Sequence, residues 1–211
     1  MADVDFFWDP VCPWAWLTSR WVLEVARQRG LDVDWRFIAL RIVNEERDYE
    51  TEFRPGHERA HMRGLELLRV AAAARDAHGP SVIADLYTAF GTAIHVEGRA
   101  EDFDDPSGAP VIDALKQAGL AVELAAAAKD ASWDAAVRAD TEEALRRAGK
   151  NLGTPIITFG PPDGPSFFGP VISRVPLADE ATRLWDAVEL IAHQPGFAEL
   201  KRSLRERPQL R

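Results

Sequence analysis

The order of apolar patterns along the chain restricts the fold more than any other feature. Residues 3 to 8 alternate as an apolar strand, and the pair Asp9-Pro10 ends it. Residues 13 to 29 then repeat apolar side chains at helical spacing, and residues 32 to 40 return to a strand pattern. This beginning predicts a β-α-β unit, in which the connection between the parallel strands is expected to be right-handed.

Helical patterns occupy the middle of the chain, and strand patterns return near its end. Segments rich in Ala, Leu, Glu and Arg predict helices at residues 57 to 78, 81 to 96, 107 to 118, 121 to 129 and 132 to 148. Residues 154 to 160 and 166 to 171 predict a hairpin, and residues 179 to 193 predict a last helix. This order (β-α-β, helices, β-β-α) is typical of an α/β, thioredoxin-like core with a large all-helical insertion. We expect the core at 1–40 and 152–195, the insertion at 41–151 and a C-terminal tail at 196–211.

The charge and the apolar content of the chain argue against two classes of binding partner, nucleic acids and membranes. Its formal net charge is −9 over 211 residues, which disfavours binding to nucleic acid or to an anionic membrane surface. No apolar run approaches the roughly 18 residues of a membrane-spanning helix, and the N-terminus lacks the basic segment of a secretory signal. We therefore expect a cytoplasmic protein that binds neither nucleic acid nor membrane.

The chain has one cysteine, Cys12, which lies where the first predicted strand passes into the first helix. This junction is the carboxyl end of a parallel strand, where open α/β folds place their chemistry. Pro13 suits the first helical position, so the sulfur is expected to face the free N–H groups near Trp14 and Ala15. Because a helix dipole contributes about 0.3–1 kcal/mol, we expect the thiol pKa to fall by about one unit or less. The alternative is a small buried side chain without chemical function.

Ala15 limits the redox chemistry that is open to this cysteine. It stands where a dithiol site would carry its second cysteine, and without that cysteine no intramolecular disulfide can form. Cys12 can therefore form only a mixed disulfide, which an external thiol must resolve.

Five segments of the chain resemble, in order, the actinobacterial DsbA-like thioredoxin-fold proteins, and among these the mycothiol-dependent nitroreductases. They are FWDPVCPWAWLTSRWVLEVA, NEERD, LYTAFGTAIH, GTP and FFGPV. The resemblance implies a cytoplasmic, mycothiol-reduced protein in which Cys12 is the nucleophile, within an active-site motif that continues through Pro13, Trp14 and Ala15. It also implies that Thr154-Pro155 forms a thiol-binding loop with a cis-proline beside the sulfur, in which the backbone of Thr154 pairs with a bound thiol or peptide. Asn44 matches a polar residue near the site, or it is only a loop or cap asparagine.

Two positions depart from the pattern of that family. The resolving cysteine is replaced by Ala15, and Phe53 stands where a tyrosine is expected. Ala15 either is the natural residue of a monothiol branch, which we favour, or was introduced to trap a mixed disulfide. The side chains of Trp8, Trp14, Trp16 and Phe53 offer apolar walls to a planar substrate or thiol, and they are equally what a hydrophobic core contains.

A second motif, HERAHMRG, places His57 and His61 one helical turn apart, with Glu58 between them. This H-E-x-x-H spacing occurs in zinc metalloproteases. The position of a third histidine is occupied by Leu67, and the segment directly follows the turn RPG. We therefore expect the start of an exposed helix with two surface histidines here, and no metal.

Three functions are compatible with these residues. The first is a thiol-disulfide oxidoreductase that acts through Cys12, with mycothiol or another low-molecular-weight thiol as co-substrate and no tightly bound cofactor. Its substrate would be a small-molecule or protein disulfide, or a small aromatic or nitro compound. The second is a thiol-conjugating enzyme or isomerase of the kappa glutathione-transferase kind, in which a hydroxyl group activates a bound thiol. The third is a non-catalytic thiol-binding protein. The direction of the reaction and the oligomeric state, including a homodimer, stay open.

Overall fold

The computed structural model describes residues 2–202 and 206–210 of the chain. The strands are β1 (Val4–Trp8), β2 (Val33–Phe37), β3 (Ile156–Phe159) and β4 (Ser166–Phe168). The α-helices are α1 (Pro13–Arg29), α2 (Leu40–Val43), α3 (Tyr49–Glu52), α4 (His57–His78), α5 (Ile83–Gly91), α6 (Ala109–Gln117), α7 (Asp134–Ala148) and α8 (Asp179–Ala192). Shorter 3-10 segments lie at Pro80–Val82, Ala100–Asp104, Val122–Lys129 and Ala131–Trp133, and a π-helical turn lies at Thr92–Val96.

The four strands form one sheet in the order β2-β1-β3-β4. Strand β1 pairs in parallel with β2, with Val4 opposite Val33, and antiparallel with β3, with Val4 opposite Phe159. Strand β4 pairs antiparallel with β3. All five residues of β1 are buried, since this central strand has neighbours on both edges. The predicted α/β, thioredoxin-like core with a helical insertion is confirmed.

Helix α1 carries the start of the site, and its ends follow from local sequence. Pro13 occupies the first turn, where its missing N–H costs nothing, and Gly30 ends the helix in the left-handed conformation at φ 67°. One side of α1 packs on α8, where Trp21 Nε1 donates to the carbonyl oxygen of Ala181 at 2.9 Å. The rings of Trp21 and Trp185 lie 5.4 Å apart at the same contact.

The helical insertion shares one hydrophobic cluster with the core. Tyr87 on α5 stacks on Trp8 of β1, with ring centroids 3.9 Å apart, and meets the Trp16 ring of α1 edge-on. The same cluster continues to Leu67 on α4 and Phe159 on β3. Because the core and the insertion are packed as one cluster, their boundaries at residues 40/41 and 151/152 stay a prediction. Across the described parts of the chain, no helix is both long and apolar enough to cross a membrane.

Two predicted helices differ from the observed ones. The segment predicted at 81 to 96 becomes α5 followed by the π turn, in which Glu97 N donates to the carbonyl oxygen of Thr92 at 3.0 Å. The segment predicted at 121 to 129 is a 3-10 helix. This helix ends at Asp130. The Asp130 side chain accepts a hydrogen bond from Ser132 N at 2.9 Å and so caps the start of the next 3-10 turn.

Sequence reasoning missed helices α2 and α3 and extended the last strand too far. Helix α2 begins where Leu40 N donates to Asp9 Oδ2 at 2.8 Å, and a contact from so distant a residue leaves no local signal. Helix α3 did carry a signal, since Asp48 accepts from Glu50 N at its start. Strand β4 stops before Gly169, which takes φ 99° and donates its N–H to the carbonyl oxygen of Pro155.

The C-terminal tail is tied down at its described end. Gln209 N donates to the carbonyl oxygen of Ser173 at 2.7 Å, and Ser173 Oγ donates to Glu206 Oε2 at 3.0 Å. Leu210 packs against the main hydrophobic cluster. Residues 206–210 therefore return to the body of the molecule.

The contact between α5 and α1 predicts a strong effect of one added methyl group. A Cβ at Gly91 would overlap the Trp16 ring, whereas a Cβ at Gly153 would make only ordinary contacts at 3.8 Å or beyond. We expect Gly91→Ala to lower the free energy of unfolding by about 1–3 kcal/mol through overpacking. The matched Gly153→Ala variant should change it by less than about 0.5 kcal/mol. Urea titrations of the two variants measure both values, and equal stabilities would contradict the packing described here.

Candidate active site

Cys12 is the N-cap residue of α1, and its sulfur lies between two backbone groups. Ala15 N donates to Cys12 Sγ at 3.5 Å, and the thiol donates to the carbonyl oxygen of Thr154 at 3.4 Å. The residue is 6% exposed. The structure thus brings together the start of α1 and the loop before β3, and the thiol proton already has an acceptor there.

The Thr154–Pro155 peptide bond is cis, as the resemblance implies. Thr154 Oγ1 donates to the carbonyl oxygen of Phe7 at 2.9 Å, which fixes the loop to β1. Gly169 N donates to the carbonyl oxygen of Pro155 at 2.8 Å and holds the other side of the loop. The carbonyl group that faces Cys12 is therefore held in place from two sides.

Burial raises the pKa of the Cys12 thiol to about 12. The Ala15 and Trp14 N–H groups lower this pKa and the charge of Asp9 raises it, but burial is the largest effect. The expectation of a lowered thiol pKa is wrong because it counted the helix terminus and left out the loss of solvation. At neutral pH the resting sulfur is a protonated thiol.

Asp9 is the functional candidate that sequence reasoning missed. It is fully buried, and its carboxyl group accepts hydrogen bonds from Val11 N at 2.9 Å and Leu40 N at 2.8 Å. Burial raises the pKa of this carboxyl group to about 7, against the lowering effect of both hydrogen bonds. Room for the carboxyl group exists because Gly64 has no side chain, and a Cβ there would lie 2.6 Å from Asp9 Oδ1. An acidic residue directly after a buried strand and three residues before Cys12 was the available signal.

The tryptophans near Cys12 divide between the site and the core. Trp14 is half-buried on the first turn of α1. Trp16 is 4% exposed, with the Arg20 guanidinium 4.0 Å above its ring and the ring of His95 stacked at 5.7 Å. Trp8 is fully buried beneath Tyr87. The interpretation of Trp8 as a wall of a binding site is wrong, because its side chain has no exposed surface, whereas a binding role for Trp16 stays a prediction.

Asn44 and Phe53 lie in the segment between β2 and α4. Asn44 ends α2, where its Nδ2 donates to the carbonyl oxygen of Leu40 at 2.8 Å, and Arg47 Nη1 donates to its Oδ1. Phe53 stacks on Tyr49 with ring centroids 4.6 Å apart. These contacts are structural ones, so a thiol-binding role for Asn44 and Phe53 stays a prediction.

The H-E-x-x-H motif is used for packing. His61 is 7% exposed, and its Nδ1 lies 2.8 Å from the hydroxyl oxygen of Tyr49. The expectation of a surface histidine is therefore wrong for His61, because α3 packs its tyrosine against this ring. Burial lowers the pKa of His61 to about 4, so the ring is neutral. His57 packs on it edge-on at 5.9 Å. Within residues 2–202 and 206–210, no three His, Cys, Asp or Glu side chains are grouped as metal ligands.

The chain is similar to known proteins over most of its length. The model of the family described as "Rv2466c-like: Mycothiol-dependent nitroreductase Rv2466c" matches residues 11–202. The uncharacterized protein Rv2286c of Mycobacterium tuberculosis is 32% identical over 203 residues, which cover 96% of this chain and 82% of that protein.

Solved structures with the same fold are more distant in sequence. A 2-hydroxychromene-2-carboxylate isomerase has a TM-score of 0.57 at 15% identity, covering 89% of this chain and 93% of its own. A protein provisionally described as a protein disulfide isomerase from Nitrosomonas europaea has a TM-score of 0.57 at 12% identity, covering 90% and 98%. At these identities the likeness concerns the fold alone. On the family match, the chain belongs to the Rv2466c-like family of mycothiol-dependent nitroreductases, which are thiol-dependent oxidoreductases with a DsbA-like thioredoxin fold.

Proposed function

We propose that this protein is a monothiol reductase, in which Cys12 works with mycothiol or a similar low-molecular-weight thiol. The observation that carries the proposal is the position of Cys12 Sγ, between the N–H of Ala15 and the carbonyl group of Thr154. The family's dependence on mycothiol supports the choice of co-substrate. The reducing cytoplasm, where thiols of this kind are kept reduced, is the compartment that fits such a reaction.

The high pKa of the Cys12 thiol favours reduction over oxidation. A disulfide is a strong oxidant when the thiolate that it releases is stabilised, as in DsbA, whose cysteine has a very low pKa. Burial here destabilises the thiolate and raises the pKa to about 12. Release of the Cys12 thiolate from a mixed disulfide is therefore unfavourable. The mixed disulfide is a weak oxidant, and the reduced Cys12 thiol is a good reductant.

For a disulfide substrate, the proposed cycle has two thiol exchanges. Cys12 Sγ, in its thiolate form, attacks one sulfur of the substrate and forms a mixed disulfide. The other half of the substrate leaves and takes up the proton that Cys12 has lost. A co-substrate thiolate then attacks the substrate-side sulfur and releases Cys12. Because its pKa is about 12, the released sulfur takes up a proton and returns to the carbonyl group of Thr154. The net reaction converts the substrate disulfide and one co-substrate thiol into a disulfide between substrate and co-substrate and one free substrate thiol.

For a nitro substrate, which the family name suggests, the same residue supplies one of two thiols. Two-electron reduction of the nitro group to a nitroso group and water oxidises the Cys12 thiol and one co-substrate thiol to their mixed disulfide. A second co-substrate thiol then attacks the co-substrate-side sulfur of this mixed disulfide. That step releases the reduced Cys12 and a co-substrate disulfide. Trp14, half-buried on the first turn of α1 and two residues after Cys12, is the aromatic side chain that we assign to such a substrate.

The first prediction concerns the mixed disulfide itself. Mixing the reduced protein with mycothiol disulfide should give one adduct per chain, which accumulates because no second thiol stands at Ala15 and a leaving thiol of high pKa departs slowly. Intact-mass measurements over time would show the adduct and its removal by free mycothiol.

Two variants make this measurement specific. Cys12→Ala should form no adduct, and Ala15→Cys should lose its adduct without added thiol by closing an intramolecular disulfide. If the wild-type protein is folded but forms no adduct, the proposal is overturned. The thiol-conjugating enzyme or the non-catalytic thiol-binding protein is then favoured.

The second prediction concerns the reactivity of the Cys12 thiol with pH. Alkylation by iodoacetamide should accelerate about tenfold per pH unit from pH 7 to pH 10 without reaching a plateau, because only the thiolate reacts. The same chain unfolded in urea should level off near the ordinary thiol pKa of about 8.5. If the alkylation rate of the folded protein reached a plateau below pH 9, the raised pKa of Cys12 would be contradicted.

The third prediction concerns Asp9 and stability. Its carboxyl pKa is about 7 in the folded protein against an ordinary 3.8, so the folded state holds the proton more tightly than the unfolded chain does. This stabilisation is complete below about pH 4 and is lost as pH rises through 7, with a total of about 4 kcal/mol.

An amide at this position cannot ionise, so Asp9→Asn should remove this part of the pH dependence. Urea unfolding at intervals between pH 4 and pH 8 would measure the loss. The control Asp85→Asn removes a carboxyl group from an exposed position on α5 and should keep the wild-type curve. If the free energy of unfolding of Asp9→Asn fell with pH as steeply as that of the wild type, the raised pKa of Asp9 would be contradicted.

A further inference from the structure

A cavity of about 420 Å³ lies between the helical insertion and the C-terminal tail. Residues 95–98 line one side of it and residues 208–210 line the other. The first wall includes the end of the π turn, a type of turn that is rare and occurs frequently at functional sites. The second wall is held by the hydrogen bond from Gln209 N to Ser173 and by the packing of Leu210 on the main cluster.

His95 connects this cavity to the loop that carries Cys12. Its Nε2 lies 2.9 Å from the carbonyl oxygen of Pro10, two residues before Cys12. Its ring stacks on Trp16, which follows Cys12 by one turn of α1. One side chain therefore belongs both to the cavity wall and to the support of the active-site loop.

The polar groups of the lining include hydrogen-bond acceptors and donors. Because a carbonyl oxygen can only accept, His95 Nε2 carries the hydrogen, and burial lowers the pKa of the ring to about 4, so Nδ1 is an acceptor. Among the described residues, no hydrogen bond to this Nδ1 is recorded. Glu97 adds a carboxylate, one oxygen of which accepts from Arg99 Nη1 at 3.1 Å, and Gln209 adds an amide with both an acceptor oxygen and N–H donors. Val96 and Leu210 add apolar surface.

We propose that this cavity binds the hydroxyl-rich, glycosidic part of the thiol co-substrate. Sugar and polyol hydroxyl groups donate to acceptors such as His95 Nδ1 and the Glu97 carboxylate. The C–H faces of their rings suit the apolar surface of Val96 and Leu210. The inference rests on the proposed function for its link to Cys12, but the cavity can bind the sugar whether or not Cys12 reacts.

The direct test uses N-acetylglucosaminyl-inositol, the sugar part of mycothiol without a thiol. Titration of the full chain, followed by calorimetry or NMR, should show binding that Val96→Trp weakens at least tenfold by filling the cavity. Val96 is 39% exposed, so the larger side chain need not disturb the core. The control Leu190→Trp adds the same side chain at a position on α8 that is 73% exposed, and it should bind as the wild type does.

The kinetic test compares thiols that release the mixed disulfide of Cys12. Mycothiol should act at least tenfold faster than N-acetylcysteine, which lacks the sugar, and Val96→Trp should abolish that advantage without slowing N-acetylcysteine.

The two tests separate the failure of this inference from the failure of the proposed function. Sugar binding that Val96→Trp abolishes supports the cavity even if Cys12 forms no adduct. If Cys12 forms its adduct but mycothiol and N-acetylcysteine release it at equal rates, the cavity does not bind the sugar part of the co-substrate. The proposed monothiol cycle would still hold. Absence of sugar binding, or binding that Val96→Trp does not change, also overturns the inference.

Discussion

Asp9 accepts hydrogen bonds from the backbone of its own loop and from the backbone of the chain that enters the helical insertion. Val11 N holds one oxygen and Leu40 N holds the other, and Gly64 on α4 leaves the space that they occupy. One buried carboxyl group thus joins the end of β1, the start of α2 and the long helix of the insertion. The position of Cys12 depends on this junction, since Cys12 N also donates to the carbonyl oxygen of Asp9.

The same junction sets the chemistry of the sulfur. Helix termini and N–H groups favour a thiolate, while burial and a neighbouring carboxylate oppose it. In this site the opposing effects are larger, and the thiol keeps its proton at neutral pH. A thioredoxin fold therefore does not by itself make an oxidant. How deeply the sulfur is covered decides how stable its disulfide is, and here the sulfur is buried between the first turn of α1 and the loop at Thr154.

The sequence was sufficient for the order of elements and for the position of Cys12, because both depend on local patterns. Alternation in β1 and the Cys-Pro start of α1 are properties of neighbouring residues. The cis peptide before Pro155 was reachable only through the family resemblance.

The burial of Asp9 and Trp16 was out of reach, because it depends on distant glycines. Gly64 makes room for the carboxyl group of Asp9, and Gly91 lets the indole of Trp16 lie against α5. A tryptophan beside a reactive cysteine looks the same in sequence whether it lines a cleft or fills a core.

Ala15 has a consequence for how such a protein responds to its surroundings. A second cysteine in the same chain would act at an effective concentration fixed by geometry, in the millimolar range or above. Without it, the lifetime of each mixed disulfide in the proposed cycle is inversely proportional to the concentration of free thiol in solution. The fraction of molecules held as adduct therefore follows the size and oxidation of the cellular thiol pool, so that a single missing sulfur atom couples the turnover of the protein to the supply of its reductant.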